Sequence, residues 1–404
     1  MAKEDSSEKR ILSDEPAVAE GKSSGIDWTL LLAVVALIVF GLIMLYSASA
    51  YNARLKFGSS SWYVKKQLIA TAIGAAGLFF ATIIPYDVWK SKISIFIYLL
   101  SLGLVLLVLT PLGVDNNGIT RWIDLKFFIL QPSEVVKVAV ILITSALIYK
   151  YRSSMDKIKN YIIILIILTL SAGLVAILTE DLGTAIIIFG IGFVMLFVSC
   201  HKRGYNLITL LLAIIVGVIF VVSRPHRMDR IRAWINVDAY ADNESFQIVQ
   251  ALYAIGSGGI VGKGLGNSTQ KMFVPEAQND MIFAIICEEL GIIGGILLLG
   301  LFAILIWRLW KIYKENDDCF GRLIITGVIA HLGIQIFMNV AVVTGLIPNT
   351  GVPLPFISYG GSSVIMTMVE IGLVQSVACG NTIRKRVPNT VMREDKEKGI
   401  IYYR

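Results

Sequence analysis

The chain is predicted to be an all-α, polytopic membrane protein of about ten transmembrane helices with one large extracellular loop. Three observations carry that expectation. Of 404 residues, 56% are hydrophobic and 16% charged, whereas a globular chain has roughly 25% charged residues. The apolar residues fall in runs of the ~20 residues that cross a ~30 Å hydrocarbon core. The basic residues gather on alternate connections between those runs, as the positive-inside rule requires. Helices are the expected form, because hydrocarbon offers no water to an open backbone edge.

In order along the chain, residues 1–27 are polar, mixed in charge and without an apolar signal-peptide core. They read as a disordered cytoplasmic tail before an uncleaved anchor. A transmembrane domain is expected over 28–381, with spans near 28–50, 64–84, 92–111, 132–149, 160–178, 182–200, 206–223, 280–307, 321–346 and 357–380. Residues 382–404 read as a second cytoplasmic tail. With both termini inside, the inner connections hold Lys90, Lys150, Arg152, Lys202, Arg203, Arg308, Lys311 and Arg384. The outer connections near 180 and 350 hold no Lys or Arg, and only Arg54, Lys56, Lys65 and Lys66 dissent. The net charge of +7 is therefore a topology signal, and no nucleic-acid partner is expected. Cys200, Cys287, Cys319 and Cys379 lie in spans or near the inner face, so no disulfide framework is expected. His201, His226 and His331 are scattered and suggest no metal cluster.

The polar stretch 224–279 is the expected outer loop and the natural place to meet a large polar substrate. Arg224, Arg227, Arg230 and Arg232 crowd its start. They are either snorkelling cations or guanidinium forks for phosphate. Phe246, Val249 and Tyr253 share a helical face, which points to a short helix lying on or dipping into the membrane. Residues 256–266 are glycine-rich but fail the P-loop pattern at Ser257 and Gly264. They read as a loop whose backbone approaches its neighbours closely. The loop ends in Pro275-Glu276-Ala277-Gln278-Asn279-Asp280, and the next span follows at once. Charges also fall inside spans. Glu134 and Lys137, at i and i+3, are expected to pair and line a central cavity, with Lys137 near substrate phosphates. Glu288, Glu289 and Glu370 are further intramembrane carboxylates. Glu180-Asp181 opens a helix, where carboxylates are favoured in any case.

These residues resemble the SEDS family of bacterial membrane proteins, the FtsW, RodA and SpoVE group. The resemblance runs over nearly all the spans. Its marks are Tyr46-Ser47-Ala48-Ser49, Arg121-Trp122, Gln131-Pro132-Ser133-Glu134 with Lys137, and Asp181-Leu182-Gly183-Thr184. Gly256-Ser257-Gly258-Gly259, Pro275-Glu276-Ala277 with Asp280, Glu288-Glu289-Leu290-Gly291 and the run from Pro353 to Ser362 complete the set. Gly264-Leu265-Gly266 and Gln270-Lys271 look more like the division and sporulation branch. One departure stands out. The family usually has His-Thr before the acid and Phe after it, where this chain has Gln278, Asn279 and Met281.

The resemblance implies a peptidoglycan glycosyltransferase that polymerises lipid II on the outer face of the bacterial cytoplasmic membrane and releases undecaprenyl pyrophosphate. It implies Asp280 as the catalytic base. Substrate contact is expected from Arg227 and Arg230 of the loop and from Glu134 and Lys137 of the fourth span. By resemblance, Arg121, Trp122, Asp181, Gln247, Lys271, Glu276 and Ser358 join them. A divalent cation, Mg²⁺ or Mn²⁺, is expected as cofactor with no ligand set singled out, and no organic cofactor. The expected partners are a class B penicillin-binding transpeptidase, gripping spans eight and nine, and other divisome or elongasome membrane proteins. Two other readings stay open at this stage: a lipid II flippase or other transporter, and a non-enzymatic division scaffold.

Overall fold

The structure is a computed structural model that describes residues 25–116, 119–124, 129–236 and 245–380. The expected tails beyond 24 and 380, and Glu244, lie outside the described residues. The long helices are α1 (Trp28–Phe57), α2 (Trp62–Ile83), α3 (Lys92–Leu107), α4 (Pro132–Tyr151), α5 (Ile158–Leu178) and α6 (Leu182–Ser199). They continue as α7 (Arg203–Val222), α8 (Pro225–Ile235), α9 (Phe246–Gly258), α10 (Ile282–Glu315), α11 (Cys319–Val343) and α12 (Gly361–Ala378). Among the described residues, nine helices are long and apolar enough to cross a membrane, and α3 is a shorter apolar helix. The ten expected spans thus each have a helix. α8 and α9 form from the outer loop.

Local signals set the helix ends. Asp27 caps α1 by accepting the Leu30 N–H at 2.9 Å and pairs with Arg308 of α10. Pro132 opens α4 at a position where its missing N–H costs nothing. Asp181 caps α6, accepting the Thr184 N–H at 2.9 Å. α4 is the central helix. It packs against α3, α5, α6, α11 and α12, and the run from Ser133 to Ser145 is almost wholly buried. α7 is the opposite case. Only Asn206 and Thr209 are buried along it, held by the Tyr161 hydroxyl at 3.1 and 2.9 Å.

Two features depart from expectation. A small antiparallel sheet, β1 (Gly113–Asn116), β2 (Ile119–Asp124) and β3 (Ile129–Leu130), caps the outer end of α3 and α4 in the order β1-β2-β3. Ser362 ties it to α12: its hydroxyl accepts the Gln131 N–H at 3.0 Å and donates to the Ile129 carbonyl at 3.0 Å. The second departure is span eight, expected as one helix from residue 280. It begins at Ile282 and breaks at Gly291, whose φ of 69° and ψ of −168° are available to glycine alone. The glycine-rich segment docks into the break. Lys263 N and Gly264 N donate to the carbonyls of Glu288 and Glu289, and Ile292 N donates to that of Gly259. A Cβ on Gly291 would lie 2.2 Å from the Ile260 carbonyl oxygen.

That crowding gives a first prediction. Gly291→Ala must strain both the left-handed backbone and the docked segment, at a cost of about 2 kcal/mol or more. Its thermal midpoint in detergent is expected to fall clearly below that of Gly300→Ala, a glycine with open space around it. Equal midpoints for the two variants would show that the break tolerates a side chain.

Candidate active site

Asp280 lies in the turn just before α10, with its backbone gripped from two sides. Asn339 of α11 donates its Nδ2 to the Asp280 carbonyl at 2.7 Å and to the Val352 carbonyl at 2.8 Å. The Tyr359 N–H donates to the Gln278 carbonyl at 2.9 Å. The side chain is only 8% exposed. Gln247 of α9 donates Nε2 to its Oδ1 at 3.2 Å. Burial pushes the Asp280 carboxyl up to about 7. The nearby charge of Glu276 adds to that rise, while its own backbone N–H, the Gln247 hydrogen bond and the Arg230 charge oppose it. A carboxylate poised near neutrality is what general-base chemistry asks for.

Arg230 of α8 lies within electrostatic reach of Asp280, Asp181, Arg121 and Arg227. Its side chain keeps exposed surface, yet loss of water around the guanidinium, with Arg121 next, draws it below the usual arginine value. Arg230 makes no hydrogen bond among the described residues, so its fork is free for an anion. Arg121 of β2 is spent differently: Nε donates to the Thr179 carbonyl at 3.0 Å and Nη2 to that of Glu180 at 3.1 Å. Those bonds hold the turn in which Glu180 takes a φ of 51° and Asp181 caps α6. Glu276, also at positive φ (54°), accepts from the Asn279 side-chain amide.

Asp280, Gln247, Glu276, Arg230, Asp181 and Arg121 therefore gather around one site at the start of α10. The other expected site residues have different company. Arg227 donates to the Phe220 carbonyl at 3.1 Å and stacks on that ring at 3.9 Å. Trp122 is half-buried in β2 opposite Val114. Ser358 is buried and accepts the Leu354 N–H at 2.8 Å. Lys271 donates to the Gly266 carbonyl at 2.6 Å and lies 3.6 Å from Glu289.

Glu134 and Lys137 do pair, at 2.8 Å and nearly without exposure. They belong to a larger buried network than their spacing shows. Lys137 Nζ donates to Gln335 Oε1 at 3.0 Å, and His331 Nε2 meets the same oxygen at 2.7 Å. His331 Nδ1 meets Glu370 Oε2 at 2.7 Å. Gln335 Nε2 reaches the Pro353 carbonyl at 2.9 Å. His331, Gln335 and Asn339 are three polar residues at four-residue spacing on an apolar helix. That spacing sets them on one face of α11 and is the signal in the sequence for this network. Glu288 and Glu289 find their partners in the loop before α10 and in α1. Glu288 accepts from Lys263 Nζ at 2.6 Å, from Thr269 N at 3.1 Å and from the Ser268 hydroxyl. Glu289 accepts from the Ser47 hydroxyl at 2.6 Å. No group of three or more His, Cys, Asp or Glu among the described residues is arranged to hold a metal ion, so a closed, protein-only cation cage does not fit.

Known proteins resemble this chain along most of its length. A family model described as "Cell cycle protein", covering FtsW, RodA and SpoVE, matches residues 28–382. The chain belongs to the FtsW/RodA/SpoVE family. It is 37% identical to stage V sporulation protein E of Bacillus subtilis (strain 168), over 88% of this chain and 98% of that one. It is 39% identical to a probable peptidoglycan glycosyltransferase FtsW of Geobacter metallireducens, over 87% and 94%. Among solved structures, a chain of a peptidoglycan synthase complex that coordinates polymerization and crosslinking superposes with a TM-score of 0.74 at 27% identity, covering 88% of this chain and 98% of that one. The rod shape determining protein RodA of Thermus thermophilus gives 0.65 at 26% identity, covering 88% and 97%. Where this member departs from the family pattern, the backbone still anchors the acid. Gln278 contributes its carbonyl, Asn279 holds Glu276, and Met281 is fully buried.

The raised Asp280 value makes a stability prediction. Because the folded-state value of about 7 lies above the ordinary 3.8, ionisation of Asp280 opposes folding. The stability of the neutral acid is complete below about pH 4 and is lost as pH rises through about 7. Asp280→Asn stays neutral throughout. It is expected to melt above the wild type at about pH 8.5 and together with it at about pH 4. A gap that does not change with pH would show that burial does not oppose ionisation here.

Proposed function

We propose that this chain polymerises lipid II into glycan strands and releases undecaprenyl pyrophosphate, on the outer face of a bacterial cytoplasmic membrane. The observation that carries the reading is the pairing of Asp280, a buried carboxylate poised near neutrality, with the uncommitted Arg230 guanidinium across the same site. Glycosyl transfer asks for those two groups. The Asp280 carboxylate takes the proton of the attacking sugar hydroxyl as its oxygen bonds to the anomeric carbon. The bond from that carbon to the pyrophosphate oxygen breaks, and the leaving oxygen carries off the electron pair. Arg230 stabilises the charge that develops there. A divalent cation is a further proposed cofactor; arriving with the substrate, it would supply additional charge neutralisation at the leaving pyrophosphate.

The lipid moiety needs a different surface. α7 exposes its apolar length to the hydrocarbon, packed only around Asn206 and Thr209, which suits an isoprenoid chain lying beside it. The expected partner is a class B penicillin-binding transpeptidase. Likeness to a chain of a peptidoglycan synthase complex supports that expectation. Below the Gly291 break, α10 turns Ile292, Ile293 and Ile296 outward, a face suited to a partner's single span. Other divisome or elongasome proteins are further proposed partners.

Two experiments test the reading. Asp280→Asn and Asp280→Ala, purified with lipid II and a divalent cation, are expected to lose polymerisation by 100-fold or more, on the order of a general base's contribution, while inserting normally. A near wild-type ladder of glycan products from Asp280→Asn would remove the base assignment. Topology is tested by thiol labelling in intact cells of a Cys319→Ser background. Leu265→Cys, at an exposed position, is expected to react with an impermeant reagent without opening the membrane, as both termini inside requires. Labelling only after permeabilisation would put the loop in the cytoplasm and end the proposal.

A further inference from the structure

A one-way chain of hydrogen bonds runs from the segment after α11 to the acid. The Gly351 N–H donates to Asn349 Oδ1 at 2.9 Å. Asn349 Nδ2 then donates to Gln247 Oε1 at 2.9 Å. With Oε1 taken as acceptor, the amine end of Gln247 faces the acid, 3.2 Å from Asp280 Oδ1 and 3.2 Å from the Pro275 carbonyl. A side-chain amide has a donor end and an acceptor end and can sit either way round. Reversed, Gln247 would set its carbonyl oxygen against a carboxylate oxygen. A backbone N–H has no such freedom. Gly351 therefore fixes Asn349, Asn349 fixes Gln247, and Gln247 presents its donor to Asp280.

Among the described residues, Asn349 makes no hydrogen bond to the acid; its side-chain bonds are to Gly351 and Gln247. We propose that Asn349 is a positioning residue for Asp280: it locks Gln247 with its N–H toward the carboxylate, and so keeps that carboxylate in the form that accepts a proton. The proposal rests on Asp280 acting as the base in glycan polymerisation. Its physical basis is the cost of an ionised carboxylate held out of water, which falls when a fixed donor answers one oxygen. The charged groups that face Asp280 are Glu276 on its own segment and Arg230 of α8. Arg121 of β2, Asp181 at the cap of α6 and Arg227 of α8 face Arg230 in turn. From α9, α11 and the segment around Gly351, the groups against Asp280 are uncharged: Gln247, Asn339 and Gly351 itself. Among the described residues, none of the charged groups hydrogen-bonds to Asn349, and its replacement by a neutral residue adds no charge to the field around the acid.

The test uses the full chain in nanodiscs with four variants: Asn349→Leu, Asn349→Ser, Gln247→Leu and the double Asn349→Leu/Gln247→Leu. Serine can still accept the Gly351 N–H but is too short to reach Gln247, so it keeps the turn and breaks the lock. Two readouts are taken across pH: the rate of lipid II polymerisation, and carbodiimide labelling of Asp280 by mass spectrometry, which reports the protonated acid without requiring turnover. Each single variant is expected to move the acid limb of the rate profile and the labelling midpoint upward by about one pH unit, and the double variant no farther than Gln247→Leu alone. A uniform loss of rate with an unmoved midpoint in both Asn349 variants would overturn the proposal, as would shifts that add in the double variant. If the labelling midpoints move as stated while the wild-type chain makes no glycan, the positioning role stands and the polymerase reading falls.

Discussion

A carboxylate kept out of water at the N-terminal end of α10 is the constraint around which this protein is arranged. Ionising Asp280 where it is only 8% exposed costs free energy that must be offset locally. Gln247 of α9 and Arg230 of α8 answer the carboxylate, while Asn339 of α11 and the backbone of Tyr359 hold the turn that carries it. None of these is close to Asp280 in sequence, so the acid's chemistry exists only when the whole outer layer is assembled. The bundle beneath serves as the rigid base for that layer.

The same physical rule governs the rest of the interior. Polar groups beyond the reach of water must answer one another. α4, α11 and α12 satisfy it with the run Glu134, Lys137, Gln335, His331 and Glu370. Gln335 also reaches the Pro353 carbonyl, on the same segment that supplies Val352 and Tyr359 to the acid's backbone anchors. The buried charges and the outer site are thus joined through one short stretch of chain. Their continuity gives Lys137 a structural role whether or not a phosphate reaches it. Removing one member of such a buried set leaves an unanswered charge, at roughly 3–5 kcal/mol.

α10 shows how a span can serve two layers. Its first nine residues, ending at Leu290, carry Glu288 and Glu289 into the outer loop's hydrogen bonds, and the helix beyond Gly291 turns to lipid. The glycine break lets one continuous element hold the loop and cross the membrane at different angles. Gly262, one of the loop residues that fill the break, has no room for a side chain, since a Cβ there would lie 2.2 Å from the Glu289 carbonyl oxygen.

The sequence by itself determined the class, the number of apolar helices and the position of the acid. Composition and run length are local properties, and a carboxylate at a loop-to-span junction can be seen without any contact. Pairing of Glu134 with Lys137 was legible too, because i and i+3 on a helix fix a shared face. The sheet over 113–130 was not. Its strands are short, and only tertiary tethers such as Ser362 select them over irregular loop. Nor was the break at Gly291, since a glycine in an apolar run signals nothing until another backbone is found lying against it. Which cation faces the acid was also decided by the fold. Among four arginines in nine residues, the packing of α8 turned Arg227 onto Phe220 and left Arg230 toward Asp280. Spacing cannot make that choice, because it depends on where α8 comes to rest, held by Phe220 of α7 and, through Trp234, by the Gly345 carbonyl beyond α11.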